Sequence, residues 1–398
     1  MVEGWKKDKL TNIIAQITTG KLDANAMVPN GEYRFYTCAK DYCYIDSYAF
    51  DDEALLISGN GEYVGYIHYY KGKFNAYQRV YVLTGFKINV KYLENYLNRY
   101  LPIRINKEVS QNNIPYIRLS TLSKMDVLFP ESLSEQASIA NILSSVDEAI
   151  ESVKKSIEAA EKLKKSLMQN LLTGRMKPDG TFRTEDEFYE DEKFGKVPKG
   201  WEVKKGYEIT NKITKGQSPK WQGFEYQNHG ILFVTSENIR NGYIDVSSPK
   251  YLPIEFNNKI KNSQLSKGDI LINIVGTSIG RCAIYNLNNE FANTNQAVCV
   301  FRPNSDNDSQ FLSLYLQNET TQKRLLKTQV ETARANLSLG DFRKFKFIIP
   351  KKEEQIEISN KINQFNDIIV KNVNKLTTLM NLKKSLMQNL LTGKVRVK

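Results

Sequence analysis

LKKSLMQNLLTG spans Leu163–Gly174 and, without a single change, spans Leu382–Gly393 again. Twelve identical residues in one chain mark a duplication, and an internal repeat decides the architecture before any local reading does. The match runs upstream in the same register. Glu135-Gln136 falls on Glu354-Gln355, and VLFP at Val127–Pro130 falls on FIIP at Phe347–Pro350. Ile117, Leu119, Leu122 and Met125 fall on Leu337, Leu339, Phe342 and Phe345. Near the start, Trp5 and its lysines resemble Trp201-Glu202-Val203-Lys204-Lys205, and Ile17-Thr18-Thr19-Gly20-Lys21 resembles Ile213-Thr214-Lys215-Gly216-Gln217. The chain therefore reads as globule, helix, globule, helix.

Leu143, Val146, Ile150, Val153, Ile157, Ala160, Leu163, Leu167 and Leu171 recur at spacings of three and four, with one local adjustment near Leu163. The second copy has Ile362, Phe365, Ile369, Asn372, Leu376, Leu379, Leu382, Leu386 and Leu390. Both are heptad seams. Pro130 and Pro350 precede the helices, and Gly174 and Gly393 stand where each should stop. Each helix should run about 40 residues, or about 60 Å. A lone amphipathic rod of that length cannot bury its stripe, so the two copies are expected to pair antiparallel and hold two globules apart. The expected fold is α+β: two globules separated by two long antiparallel coiled-coil helices, in a pseudo-twofold repeat. The boundaries are 1–130 for the first globule, 131–174 for its helix, 175–200 for a linker, 201–350 for the second globule and 351–393 for the distal helix.

Packing needs only the apolar positions of the repeat, yet the polar ones recur too. Lys164, Lys165, Gln169 and Asn170 return as Lys383, Lys384, Gln388 and Asn389. Two equal outer surfaces would dock two copies of one partner. The competing explanation is recent genetic copying of the stretch.

The 398 residues carry 56 Lys and Arg against 44 Asp and Glu, a net charge of +12 that favours a polyanionic partner over a merely basic surface. No apolar run reaches membrane-spanning length, and Met1–Leu10 has no apolar signal core, so a cytoplasmic protein without a membrane partner is expected. Cys38, Cys43, Cys282 and Cys299, with only His68 and His229 beside them, show no zinc spacing and read as reduced packing residues. In the linker, Pro178-Asp179 and Asp191-Glu192-Lys193 imitate a metal-dependent nuclease motif. That motif needs strands to converge its carboxylates; the segment lacks a strand pattern and reads as an acidic loop.

Both globules show short β-like runs followed by a helix. In the first these are Tyr33–Tyr36, Ala54–Ile57, Tyr63–Ile67 and Arg79–Leu83, then a helix near Val90–Tyr100. In the second they are Ile231–Val234, Asp269–Ile274, Cys282–Tyr285 and Ala297–Phe301, then a helix near Ser309–Leu326. Mainly antiparallel strands are expected. The loops hold the residue types that read bases: Arg or Lys for guanine, Asn or Gln for adenine. The DNA-binding candidates of the first globule are Lys71, Lys73, Asn75, Tyr77, Gln78, Arg79, Lys107 and Asn112. Those of the second are Lys215, Gln217, Ser218, Lys220, Ser236, Asn238, Arg240, Asn293, Asn295, Gln296, Arg334 and Asn336. No methyltransferase tetrapeptide or P-loop is present: Gly59-Asn60-Gly61 is a lone glycine pair, and Gly276–Arg281 lacks the lysine-hydroxyl ending. A non-catalytic binding protein with no metal is expected.

Two variable globules, each starting near a tryptophan and each closed by a helix that begins with Glu-Gln and ends in LLTG, resemble the specificity (S) subunits of type I restriction–modification systems. The resemblance covers essentially the whole chain; the shorter first globule is the departure. It implies two target-recognition domains, each reading half of a split site on double-stranded DNA, and paired helices that set the unread spacer. It implies two methylation subunits as partners, which carry S-adenosylmethionine while this chain binds no cofactor, and a motor-nuclease restriction subunit as a further partner. Two alternatives stay open: the specificity subunit of a related type IIB-like methyltransferase–nuclease, and a structural protein whose globules grip proteins.

Overall fold

The computed structural model describes residues 2–108, 116–332 and 336–397. The chain divides into two compact units, Met1–Ser156 with Asn372–Lys398, and Ile157–Lys371. In chain order the first unit holds β1 (Trp5–Lys9), α1 (Leu10–Ile13), β2 (Gln16–Thr19), β3 (Tyr33–Tyr36), β4 (Cys43–Ile45), β5 (Phe50–Ser58), β6 (Ile67–Ala76), β7 (Val80–Thr84), α2 (Val90–Glu108), α3 (Leu119–Ser123), β8 (Asp126–Pro130) and the start of the long helix α4 (Leu133–Leu171). A six-stranded sheet runs β2-β7-β5-β6-β3-β4, and β1 pairs with β8. Strand alternation splits β5 between two layers. Leu55 and Ile57 join the core beneath α2, whereas Ala54 and Leu56 join Tyr36, Phe74 and Val82 on the opposite face.

The second unit repeats this plan after a linker that is itself folded. Its elements are β9 (Phe188–Asp191), β10 (Gly195–Pro198), β11 (Glu202–Lys205), β12 (Thr210–Lys215), β13 (Ile231–Val234), β14 (Tyr251–Leu252), α5 (Ile254–Lys259), β15 (Ile270–Asn273), β16 (Cys282–Ile284), β17 (Ala292–Thr294), β18 (Val298–Pro303), α6 (Ser309–Gln317), α7 (Glu319–Thr332), α8 (Leu339–Lys344) and β19 (Lys346–Ile349). The start of the other long helix, α9 (Lys352–Leu390), follows. One sheet runs β12-β18-β15-β16 and another β14-β13-β17, while β11 pairs with β19. Pairing is antiparallel apart from β3 with β6 and β13 with β17, which run parallel.

The Glu-Gln pair at each helix start has a specific task, the same in both units. Gln136 donates to the Pro130 carbonyl at 2.7 Å and accepts from the Asn89 amide, also at 2.7 Å. Gln355 donates to the Pro350 carbonyl at 2.9 Å and accepts from the Asp308 amide at 2.9 Å. Each glutamine thus ties the strand before its long helix to the start of the globule's own helix, α2 or α6. Beside them, Arg396 grips Glu135 at 2.7 and 2.8 Å, and Arg183 reaches Glu354 at 2.6 Å. Gly393 and Gly174 end the two helices with φ of 70° and 68°, against Trp5 and Trp201 respectively. Two landmarks 135 to 147 residues into the first copy therefore meet the closing end of the second. Glu135 meets Arg396 and Asp147 meets Lys383, so the helix segments inside this unit run antiparallel. In the other unit, Leu171 and Leu172 share a core with Ile358 and Ile362.

Four expectations need correction. Leu163 and Leu382 are not on the seam; they are 49% and 46% exposed. A strict three-four alternation from Ile157 and Ala160 arrives at Lys164, and from Leu376 and Leu379 it arrives at Lys383. The helices keep that phase, so both lysines are drawn inward. The supposed strand Tyr63–Ile67 is a turn up to Gly65, and β6 starts at Ile67. The single helix near Ser309–Leu326 is broken at Asn318, whose extended backbone ends α6 and whose side chain accepts from the Thr320 amide at 3.0 Å to start α7. The linker contains the β9–β10 hairpin, closed by Asp191, which accepts from the Lys193 and Phe194 amides, and anchored by the fully buried Val197. The nuclease-like carboxylates still do not converge: Asp179 accepts from Thr181 in its own turn, and no metal-holding group of His, Cys, Asp and Glu forms among the described residues. All four cysteines are free; Cys282 and Cys299 are buried, and Cys38 and Cys43 are partly exposed.

Candidate nucleic-acid interface and docking face

Two loops meet in each globule, and a glycine sets how closely. A Cβ on Gly20 would lie 1.8 Å from the Ala76 carbonyl oxygen, and one on Gly216 would lie 1.7 Å from that of Thr294. Only glycine fits at such an approach. In the first globule this brings Lys21–Asp23 against Tyr77–Arg79: the Gln78 amide donates to Leu22, and its side chain donates to Asp23 at 3.3 Å. In the second it brings Lys215–Gln217 against Asn295 and Gln296, with the Gly216 amide donating to Asn295 at 3.1 Å. The paired registers agree, because Phe35 faces Asn75 across the parallel strands just as Phe233 faces Asn293.

Among the DNA-binding candidates, Lys71, Lys73, Gln78, Arg79, Lys107, Lys215, Gln217, Lys220, Gln296 and Asn336 are exposed, and Tyr77, Ser218, Ser236 and Asn295 are partly so. Three asparagines are structural instead. Asn293 is fully buried; it donates to Asn257 and Ile260 and accepts from Ser263. Asn75 donates to the Ser47 carbonyl and accepts from the Ala76 amide. Asn238 accepts from the Thr235 amide and donates to Asp245, closing a local loop in which Arg240 pairs with Asp245 at 3.3 Å. A buried amide with its hydrogen bonds met has nothing left for a base edge. Asn112 and Arg334 lie outside the described residues.

The docking candidates divide as well. Lys383 is 26% exposed and pairs with Asp147 at 2.5 Å, and burial lowers the pKa of Lys164. Both belong to the seam. Gln169 donates to Thr320 at 3.2 Å and so reaches α7; Lys165, 3.8 Å from Glu319, stays exposed, as do Lys384 and Gln388. Asn170 and Asn389 are partly buried at the helix ends. Leu163, Lys165 and Ser166, with Leu382, Lys384 and Ser385, are outward in both copies.

Sequence reading missed two features. One is a pair of equivalent hairpin loops, Gly61–Gly65 and Gly276–Gly280, whose glycines all have φ near +80°. The Gly65 amide donates to Ser58 in one and the Gly280 amide to Asn273 in the other. The shared G-x-x-x-G spacing was the available sign. The other is a tyrosine-rich face on β3, β4 and β6. Arg34 stacks between the rings of Tyr42 and Tyr70 at 4.3 and 4.6 Å, and Lys73 lies 4.7 Å over Tyr48. The local density of tyrosine between Tyr33 and Tyr77 was the visible trace.

Comparison with known proteins follows the same twofold plan. A family model described as the type I restriction modification DNA specificity domain matches residues 2–162 and again 198–379. The chain belongs to this family. It is 39% identical over 182 residues to the type I restriction enzyme EcoDI specificity subunit of Escherichia coli, covering 44% of this chain and 39% of that one. It is 28% identical over 301 residues to the MjaVIII specificity subunit of Methanocaldococcus jannaschii, covering 74% and 68%. The EcoBI specificity subunit of Escherichia coli is 29% identical over 321 residues, covering 78% and 66%. The specificity-family chain thus spans well under half of the EcoDI subunit and about two thirds of the other two. Among solved structures, the S subunit of a type I restriction-modification system from M. genitalium superposes with a TM-score of 0.60 at 17% identity, covering 97% of this chain and 96% of that one. A chain from a structure of type I R-M complex assembly and conformational transition gives 0.53 at 12%, covering 98% of each. At these identities the likeness is one of fold. No helix among the described residues is long and apolar enough to cross a membrane.

Proposed function

We propose that this chain is the DNA-specificity subunit of a type I restriction–modification complex, with each globule reading one half of a bipartite target. The observation that carries this reading is the specificity-domain match falling once on each copy of the repeat. The exposed residues Lys71 and Lys73 of β6, which the sequence pattern places in a loop, Lys107 of α2, Lys215 at the end of β12, and Gln78, Arg79, Gln217, Lys220, Gln296 and Asn336 outside the strands and α-helices are offered to the duplex. Asn112 and Arg334 are further expected contacts. A net charge of +12 supports a polyanionic partner. The long helices, of equal length at 39 residues each, set the unread spacer and dock two methylation subunits. Leu163 and Leu382 anchor that docking, with Lys384, Gln388, Asn170 and Asn389 around them. S-adenosylmethionine and the methyl transfer belong to those partners, a restriction subunit is a further partner, and this chain performs no catalytic step. The complex works in the cytoplasm, where its DNA is.

Methylome sequencing of cells carrying the chain with its partner subunits tests this. Exchanging the first globule for that of a relative should change one half of the methylated motif and leave the other intact. Change in both halves, or in neither, overturns the reading.

A further inference from the structure

Among the described residues, five arginines are tied to carboxylates: Arg104, Arg183, Arg240, Arg302 and Arg396. Arg34 is held differently. No carboxylate lies within ion-pair distance of it among the described residues. Its guanidinium is clamped between the Tyr42 and Tyr70 rings, and one nitrogen donates to the Tyr36 hydroxyl at 3.4 Å. The hydroxyl contact favours the charged form and raises the pKa of Arg34, and a guanidinium is in any case a permanent cation. Tyr42 and Tyr44, which sit edge to face with ring centres 5.6 Å apart, are 37% and 42% exposed, so the clamp opens to solvent.

The internal repeat shows that the scaffold does not need this arrangement. Arg34 stands across from Phe74 in β6, next to the Phe35–Asn75 pair. The same register in the second globule puts Leu232 across from Ala292, next to Phe233–Asn293. Phenylalanine and asparagine are kept in both; the arginine with its tyrosines belongs to one. A residue that folding does not require, fixed in position and without a counter-charge, is suited to a ligand that the second globule does not bind.

We infer that Arg34, clamped by Tyr42 and Tyr70, reads the O6/N7 edge of a guanine in the half-site assigned to the first globule. This rests on the DNA-specificity reading above. Two rings with centres within 4.6 Å of its Cζ and the Tyr36 hydroxyl hold the guanidinium in place, and two coplanar acceptors on guanine match the fork of its remaining donors. Preordering the side chain also lowers the entropy lost on binding.

The test uses the complex with its partner subunits. Arg34→Leu borrows the residue that the second globule carries at this place. In methylome sequencing it should abolish the requirement for one guanine in the first globule's half-site, with the other half unchanged. Arg34→Lys keeps the charge without the fork and should not restore the guanine. Synthetic duplexes with 7-deazaguanine at each guanine in turn, bound to the unaltered complex, provide a readout independent of the variants' folding. One position should weaken binding roughly 5- to 150-fold. An unchanged motif in Arg34→Leu, full restoration by lysine as for a phosphate contact, or no sensitive guanine would each overturn the inference. A wild-type complex that yields no bipartite motif would instead overturn the DNA reading itself.

Discussion

At the scale of single residues, the repeat's constancy has two causes that look alike in a string of letters. Gln136 and Gln355 are constant because each satisfies a buried carbonyl and a part-buried amide. Removing one side chain orphans both groups, at about 1–3 kcal/mol each. Gln355→Ala should therefore lower the denaturation midpoint of the chain by several degrees in calorimetry, and an unchanged midpoint would remove the clamp from the account. Gly20 and Gly216 are constant because a carbonyl occupies the space of a side chain. Gly216→Ala should cost on the order of 2–4 kcal/mol in urea unfolding. Both pairs were visible as alignments; their tasks were not, because the partners, Asn89 and Asp308 or Ala76 and Thr294, are remote in sequence. Arg34 was invisible for the opposite reason. It breaks the repeat, and its meaning comes only from rings delivered by β6 and by the segment before β4.

At the scale of elements, periodicity identified both long helices and their ends, but misassigned one step. Leucine is more apolar than lysine, so Leu163 attracted the seam away from Lys164, whereas helix geometry kept its phase. The two inward lysines now separate. Lys164 has its charged form disfavoured by burial, so Lys164→Met should raise thermal stability, by about 1 kcal/mol for the added apolar seam. Lys383→Met leaves Asp147 without its partner and should give no such gain. A Lys383→Met that matched the Lys164→Met increase would contradict the distinction. The strand pair β1–β8 responds to acid. Lys9 first and Lys7 second hold the Asp126 carboxyl below its usual value of 3.8. A carboxyl lowered in the folded state contributes stability above its unfolded value, and that contribution disappears as pH falls through the lowered one. In an NMR titration Asp126 should protonate below 3.8, and Lys9→Met should move its midpoint upward. The β9–β10 hairpin escaped prediction because its apolar residues, Phe188, Tyr189, Phe194, Val197 and Pro198, do not alternate and are interrupted by charged neighbours.

At the scale of the whole chain, the repeat predicted two copies of one plan, and the family match falls on the same two copies. What sequence reading did not supply is how the copies share their material. Each compact unit takes a globule, the beginning of one long helix and the end of the other. The core of the first unit includes Met387, Leu390 and Leu391 beside Trp5 and Leu10. The second is continuous, Ile157–Lys371. During synthesis, at about 5–20 residues per second, the order of completion is therefore reversed relative to the order of emergence. The unit containing the N-terminal globule waits, with its core open, until Asn372–Lys398 has left the ribosome. A nascent chain arrested after Lys371 has emerged should already protect its later half from brief proteolysis while its earlier half is still cut.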